Sequence, residues 1–262
     1  MARLEWGVPG THLYETGIDR GVLYVNGFSG VVWPGLTSVE MNPTGGGAKS
    51  YYLDGNKYLI VSAAEEFGAT INAFTYPDLF AQCDGTAEVR SGLRLTQQRR
   101  KSFGFSYRTL VGSDLAEDLG YKIHIVYNAL AEPTQRSYSS ASESIEPVDF
   151  SWNIVTRPPV IAGHKRTAHV EIDSRTTDSQ VLNLVENALY GDEENMARLP
   201  SFSELIAMYD AYFVFTLTDN GDRTFTISGP DDAIEKLEDI YLQFDWSTVV
   251  PVDENTYTIS DG

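Results

Sequence analysis

The side chains best suited to metal binding and to acid–base catalysis in this chain are four histidines (His12, His124, His164 and His169), one cysteine (Cys83) and 37 acidic residues. None of the histidines stands in a His-Glu-x-x-His spacing, the arrangement that places two ring nitrogens on one helical face for zinc. His164 and His169 are five residues apart, so on one continuous strand their rings point to opposite faces. Single histidines of this kind read as structural or solvent-facing. Cys83 excludes an internal disulfide and any site with several thiolate ligands, and reads as a small buried hydrophobe. Gly47-Ala48-Lys49-Ser50 has the composition of a phosphate loop, but Ala48 separates glycine from lysine and no helical pattern follows. Gly27-Phe28-Ser29-Gly30 is no nucleophile elbow, because its second glycine comes one residue early. Asp219, Asp222, Asp231 and Asp232 could gather calcium. Turn and helix-start roles account for each of them, and their spacing is not that of a helix–loop–helix calcium loop. The residues predict no catalytic centre, no metal and no cofactor, hence a protein that is not an enzyme.

One basic cluster stands out: Arg90, Arg94, Arg99, Arg100 and Lys101. Cations so grouped contact either nucleic-acid phosphates or an acidic protein surface. The net charge of -18 repels nucleic acid, so the cluster is read as a contact between identical subunits, where charge complementarity sets the register. The charge is uneven along the chain. Residues 210–262 carry 12 acids against 2 bases, leaving 25 against 17 for residues 1–209. That step marks an acidic accessory module from about residue 211.

The elements that hold these residues are mostly strands. Tyr121, Ile123, Ile125 and Tyr127 alternate with Lys122, His124 and Val126; Phe103, Phe105 and Tyr107 alternate with glycine, serine and arginine. Phe150, Trp152 and Ile154, and then Val170 and Ile172, repeat the pattern. Asn42–Gly47, Asp54-Gly55 and Arg157-Pro158-Pro159 punctuate it. A helix runs from a cap at Thr177 or Asp178 to about Tyr190 with Leu182, Val185 and Leu189 as its stripe, and Ser201-Phe202-Ser203-Glu204 is a capping box for a second. Residues 131–149 are polar and read as a long loop. Beyond residue 211, two strands around Asp219-Asn220-Gly221-Asp222, a helix from Pro230, a strand at 240–246 and another around Tyr257 and Ile259 make a small ββαββ module. No apolar run is long enough for a bilayer, and the first residues lack the apolar core of a secretory signal, which predicts synthesis in the cytoplasm and no membrane partner.

An ordered series of stretches resembles the major tail proteins of siphophages that infect Actinobacteria. It runs through Val32-Trp33-Pro34-Gly35-Leu36-Thr37-Ser38-Val39, Tyr51–Tyr58, Glu66-Phe67, Ala73–Pro77, Phe80, Phe105–Gly112, Gly120–Asn128, Phe150-Ser151-Trp152 and His169–Asp173, over about residues 30–210. The resemblance implies a mainly β fold over residues 1–210, a tail-tube-like β-sandwich or barrel with a flanking helix, followed by the accessory module at 211–262. It further implies hexameric rings stacked into a tube and a place in the virion tail. Implied partners are other copies, the tape measure protein and the tail terminator or distal tail proteins, with genomic DNA passing through the lumen unbound. Loop 131–149 would order on assembly as an inter-ring contact. Two other readings compete. One is a carbohydrate-binding or adhesive β-sandwich using Trp6, Trp33, Trp152 and Trp246; the other is a hydrolase whose paired carboxylates hide among the 37 acids.

Overall fold

The computed structural model describes residues 6–138, 147–161 and 163–212, and then strands at 216–219, 224–228, 249–253 and 256–259. The chain divides into two compact units, Met1–Pro200 and Ser201–Gly262.

The first unit is mainly antiparallel β. Its strands are β1 (Leu13–Val25), β2 (Val31–Val32), β3 (Leu36–Met41), β4 (Thr44–Gly45), β5 (Ala48–Leu53), β6 (Asn56–Ser62), β7 (Glu65–Glu66) and β8 (Gly68–Ala73). A 3-10 turn at Asp78–Gln82 follows, then β9 (Ala87–Arg90), β10 (Leu93–Leu95), β11 (Phe103–Ser113), β12 (Gly120–Ala131), β13 (Phe150–Thr156) and β14 (His169–Asp173). The main sheet runs β2-β1-β11-β12-β13-β8-β3, with β14 also on β12. β12 serves two neighbours: residues 122–126 pair with β14 and 129–131 with β13. Asn128 lies between these stretches with φ 50°, a left-handed kink that asparagine tolerates and that redirects the strand.

Alternation along these strands builds two layers of core. One face of β1 and β11 sends Leu23, Phe103 and Phe105 into an aromatic cluster with Trp33, Phe80 and Trp152. The Phe80 ring lies 4.7 Å from Trp33, 5.0 Å from Trp152 and 5.3 Å from Phe103. Such pairs add about 0.5–1.5 kcal/mol each beyond their buried area. Cys83 is buried in the same cluster, as its type predicts, and burial pushes its thiol up to about 12. The opposite face carries α1 (Ser179–Tyr190), onto which the Tyr24 hydroxyl donates at Leu189 O (2.8 Å) and the Tyr121 hydroxyl at Glu186 Oε1 (2.8 Å). Asp178 caps α1 by accepting from Gln180 N–H at 2.6 Å, and Gly191, at φ 84°, ends it. The buried stripe is Val181, Val185, Ala188 and Leu189, so Val181 replaces the expected Leu182.

In the second unit the capping box forms as its residues predict: Glu204 Oε2 accepts from Ser201 N–H at 2.7 Å and Ser201 Oγ from Glu204 N–H at 3.3 Å. It opens α2 (Phe202–Tyr212). Strands β15 (Thr216–Asp219), β16 (Thr224–Ser228), β17 (Val249–Asp253) and β18 (Thr256–Ile259) form an antiparallel sheet in the order β15-β16-β18-β17. The expected helix from Pro230, the strand at 240–246, the acids Asp222, Asp231 and Asp232, and residues 139–146 of the expected loop lie outside the described residues. Among the described residues no helix is long and apolar enough to cross a membrane.

Candidate functional site

The feature that departs most from an ordinary soluble sandwich is the hairpin β5–β6. Among the described residues its two strands pair only with each other, from Ala48↔Ser62 to Leu53↔Asn56. Asp54 and Gly55 close it with φ 50° and 76°, the positive pair that a tight two-residue turn demands. A half-buried strand shows water one polar face; this hairpin shows apolar side chains on both. Tyr51, Tyr52, Leu53, Tyr58, Leu59, Ile60 and Val61 are all exposed, Tyr58 at 74%. The apolar run Tyr58-Leu59-Ile60-Val61 therefore lies on the surface rather than in the core. A lone two-stranded hairpin is marginal in water, and a contiguous apolar patch of this kind marks a contact surface. At its base β4 pairs with β7, where Gly45 has φ 84° and any Cβ would collide with the Ala64 carbonyl oxygen. A non-glycine residue there would move the whole arm.

Unpaired strand edges are a second feature. β2 reaches only Val22 and Leu23 of β1, so among the described residues the N-terminal part of β1 pairs on one side only, with β11. Register shifts at Thr16/Asp19 and Asp19/Val22 bulge this edge, leaving Leu13–Thr16 as its straight stretch. Among the described residues β14 likewise pairs with β12 alone. The four strands β1-β11-β12-β14 thus end on both sides in an edge able to take a further strand.

The five basic residues do not act as one cluster. Arg90 is exposed and donates to its neighbour's carbonyl, Val89 O (2.9 Å), and Arg94 donates to exposed Asp78 (2.8 Å); Arg99 is exposed. Arg100 turns inward. Its Nη1 donates to Asp84 Oδ1 (3.2 Å) and to the carbonyls of Ala131 (3.1 Å) and Glu132 (3.2 Å), where β12 ends. Asp84, its side chain only 8% exposed, also binds Arg136, whose guanidinium lies over the Tyr76 and Phe150 rings. Lys101 donates to Gln82 Oε1 at 2.7 Å. Arg100 thus holds the chain's own turns together, and Arg90, Arg94, Arg99 and Lys101, all exposed, are the members left facing outward. The signal was absent from the sequence because Asp84 lies 16 residues from Arg100 and 52 from Arg136.

Two histidines read as singles prove to be partners. The β12–β14 register brings His169 Nε2 to 3.1 Å from His124 Nδ1, across 45 residues. Tyr107 stacks on His124 (4.7 Å) and Phe67 on His169 (4.9 Å). His124 Nε2 lies 3.0 Å from Thr109 Oγ1, which donates to Glu15 Oε1 at 2.6 Å, and Lys122 bridges Glu15 (2.9 Å) and Glu171 (3.0 Å). Burial pushes His169 down to about 4 and also lowers His124, against the pull of Glu171 and Glu15. Among the described residues no three His, Cys, Asp or Glu side chains are grouped to hold a metal. Of the tryptophans proposed to stack on sugars, Trp33 and Trp152 are buried in the aromatic core, Trp6 is exposed, and Trp246 lies outside the described residues.

No protein-family model matches the chain, and no curated protein matches it. The chain matches chains of several solved assemblies at low identity. A chain of the sheath–tube complex of the extracellular contractile injection system PVC, in its extended state, is 11% identical, with 65% of this chain and 94% of that chain covered and a TM-score of 0.35. A chain of the anti-feeding prophage cap, a tube-terminating cap, is 8% identical, covering 66% of this chain and 96% of that one at a TM-score of 0.34. A chain of the anti-feeding prophage baseplate is also 8% identical, covering 64% and 97% at a TM-score of 0.34.

Proposed function

We propose that this chain is a structural subunit of a siphophage tail tube, forming stacked hexameric rings, and not an enzyme. The observation that carries the reading is the unsupported apolar hairpin β5–β6. Seven large apolar side chains exposed on an isolated hairpin need a partner, and a second copy of the same chain is the partner always at hand. The hairpin holds Lys49 and Lys57 against Asp54, so it is a net cation on a chain of net charge -18 and is drawn to the acidic surface of a neighbour. The outward-facing Arg90, Arg94 and Arg99 suit the same contact.

The strand edges support a way for copies to join. β1 and β14 are different surfaces on opposite sides of β1-β11-β12-β14, so joining one edge to the other is a head-to-tail contact, the kind from which a ring is built when the rotation between copies closes. Six copies giving four strands each exceed the roughly 16–18 strands at which a barrel encloses a water-filled channel. The ordered sequence resemblance over about residues 30–210 supports the same assignment. Other tail components, the tape measure protein and the terminator or distal tail proteins, would meet the ends and interior of such a tube, and DNA would pass through its lumen unbound.

Negative-stain electron microscopy of the purified chain at rising concentration tests the proposal. Rings or tubes of constant diameter are expected, and a species that stays monomeric at every concentration overturns it. A second prediction concerns the acidic module. Crowding modules that each carry 11 acids against 2 bases inside a lumen is repulsive, so residues 211–262 belong on the outside of the tube. A chain ending at residue 210 should assemble into tubes of the same inner diameter with a thinner wall, as seen in averaged micrographs.

A further inference from the structure

The histidine pair has a polarity that its partners impose. Glu15 is a carboxylate and can only accept, and it takes the single hydroxyl proton of Thr109. Thr109 Oγ1 must therefore accept from His124, which places the His124 proton on Nε2 and leaves its Nδ1 bare. His169 must then donate from Nε2 to that Nδ1. The result is one directed chain: His169 Nε2–H to His124 Nδ1, His124 Nε2–H to Thr109 Oγ1, and Thr109 O–H to Glu15 Oε1. It crosses β14, β12, β11 and β1 in turn. Among the described residues every nitrogen of the pair has a partner except Nδ1 of His169, a residue that lines an open groove with Glu65, Phe67, Lys165 and Arg166.

We infer that this chain is an acid-sensitive latch on strand β14, closed while the two imidazoles are neutral and opened by proton uptake from the groove. A first proton can enter only at His169 Nδ1. It makes a cation beneath the Phe67 ring, favoured by Glu15, Glu65 and Glu171 and opposed by Lys122, Lys165 and Arg166. A second has to go on His124 Nδ1, where it meets the Nε2–H of His169 head-on across 3.1 Å and ends the bond between the strands. β14 is the element released, because β12 is its only partner among the described residues, whereas β11 is paired on both sides. Tyr107, stacked on His124, belongs to β11 and stays with the sheet. The direction in pH follows from linkage. Both imidazoles bind protons more readily in the unfolded chain, near 6.5, than in the fold, so their contribution is whole above about pH 6.5 and is lost as the pH falls toward about 4. The inference does not depend on the tail-tube reading, since it concerns the sheet of a single subunit.

Hydrogen exchange followed by mass spectrometry on the full chain, corrected for intrinsic rates, tests it. Between pH 7.5 and 4.5, peptides covering 167–175 should lose at least about tenfold in protection while those covering 103–112 keep theirs. His169→Phe, which keeps a ring on Phe67 but takes no proton, should remove this pH response. Imidazole nitrogen NMR at pH 7.5 should find both rings protonated at Nε2. A β14 protection that does not change with pH, a response that survives in His169→Phe, or an Nδ1-protonated His169 overturns the latch. If His169→Phe does not fold, the wild-type pH series and the NMR tautomers decide the matter alone.

Discussion

Replacing Tyr58 and Ile60 together by aspartate should abolish tube formation while the subunit stays folded. The two residues are 74% and 55% exposed, lie two positions apart on one face of β6, and touch none of the aromatic core. Changes at such surface positions usually alter stability by no more than about 0.5 kcal/mol each, so the melting curve of the free subunit should hardly move. Assembly is a different matter. If the hairpin packs on a neighbour, each new carboxylate is carried into an apolar contact without a partner, a penalty of about 3–5 kcal/mol for an uncompensated buried charge. Even one such charge weakens a contact more than 100-fold, and a ring repeats the loss at every joint. Sedimentation velocity and negative-stain micrographs at a concentration where the wild type is fully assembled read the outcome. Tubes of normal length from a variant with normal circular dichroism would remove the hairpin from the interface, and with it the main support for the tube assignment.

The parts of the fold that were legible in the sequence are those set by neighbours in the chain. Two-residue alternation located β11, β12, β13 and β14, because side chains of a strand must face alternate sides whatever lies across from them. The cap at Asp178, the stop at Gly191 and the reciprocal box at Ser201 and Glu204 were equally local, and they formed as their spacing predicted. What stayed hidden was set by register. His124 and His169 become a pair only because Val126 lies opposite His169 and His124 opposite Glu171 across β12 and β14. Nothing in the chain between them announces that pairing. The hairpin illustrates a different limit: Tyr58-Leu59-Ile60-Val61 has the composition of a buried strand, and it is a surface because no third strand among the described residues lies beside β5 and β6. The basic cluster failed as a unit for the same reason. Its members share a stretch of chain, but Arg100 is drawn inward by an aspartate that the fold, not the sequence, places beside it.

That aspartate should be the most sensitive charged position of the first unit. Asp84 carries two guanidinium partners on a side chain only 8% exposed, and one of them, Arg100, also holds the carbonyls of Ala131 and Glu132. Asp84→Ala leaves both cations in place without their counter-charge, and breaking a buried pair this way costs about 3–5 kcal/mol. Arg100 and Arg136 are 23% and 31% exposed, so water can recover part of the loss, and a value of about 3 kcal/mol is expected. In a unit of this size that lowers the melting temperature by roughly 6–12 °C. Arg100→Ala should follow closely, since it also frees two carbonyls. Arg136→Ala should cost least, because Arg100 still serves Asp84. Arg94→Ala, at a pair whose acid is 90% exposed, should produce no measurable change and so controls for the loss of a positive charge as such. Urea denaturation of the four variants, with the Asp84→Ala/Arg100→Ala double mutant to close the cycle, measures the coupling directly. The consequence reaches past stability. Arg100 and Arg136 hold residues 131–136 at the start of the polar segment read as an inter-ring contact, so Asp84→Ala should also shorten tubes at temperatures where the subunit remains folded. Equal stability losses for Asp84→Ala and Arg94→Ala would mean that the clamp is no more than a surface ion pair, and that the entry to this segment is held by backbone pairing instead: Glu132 N–H to Asn153 O at 2.8 Å, and Ala131 against Ile154.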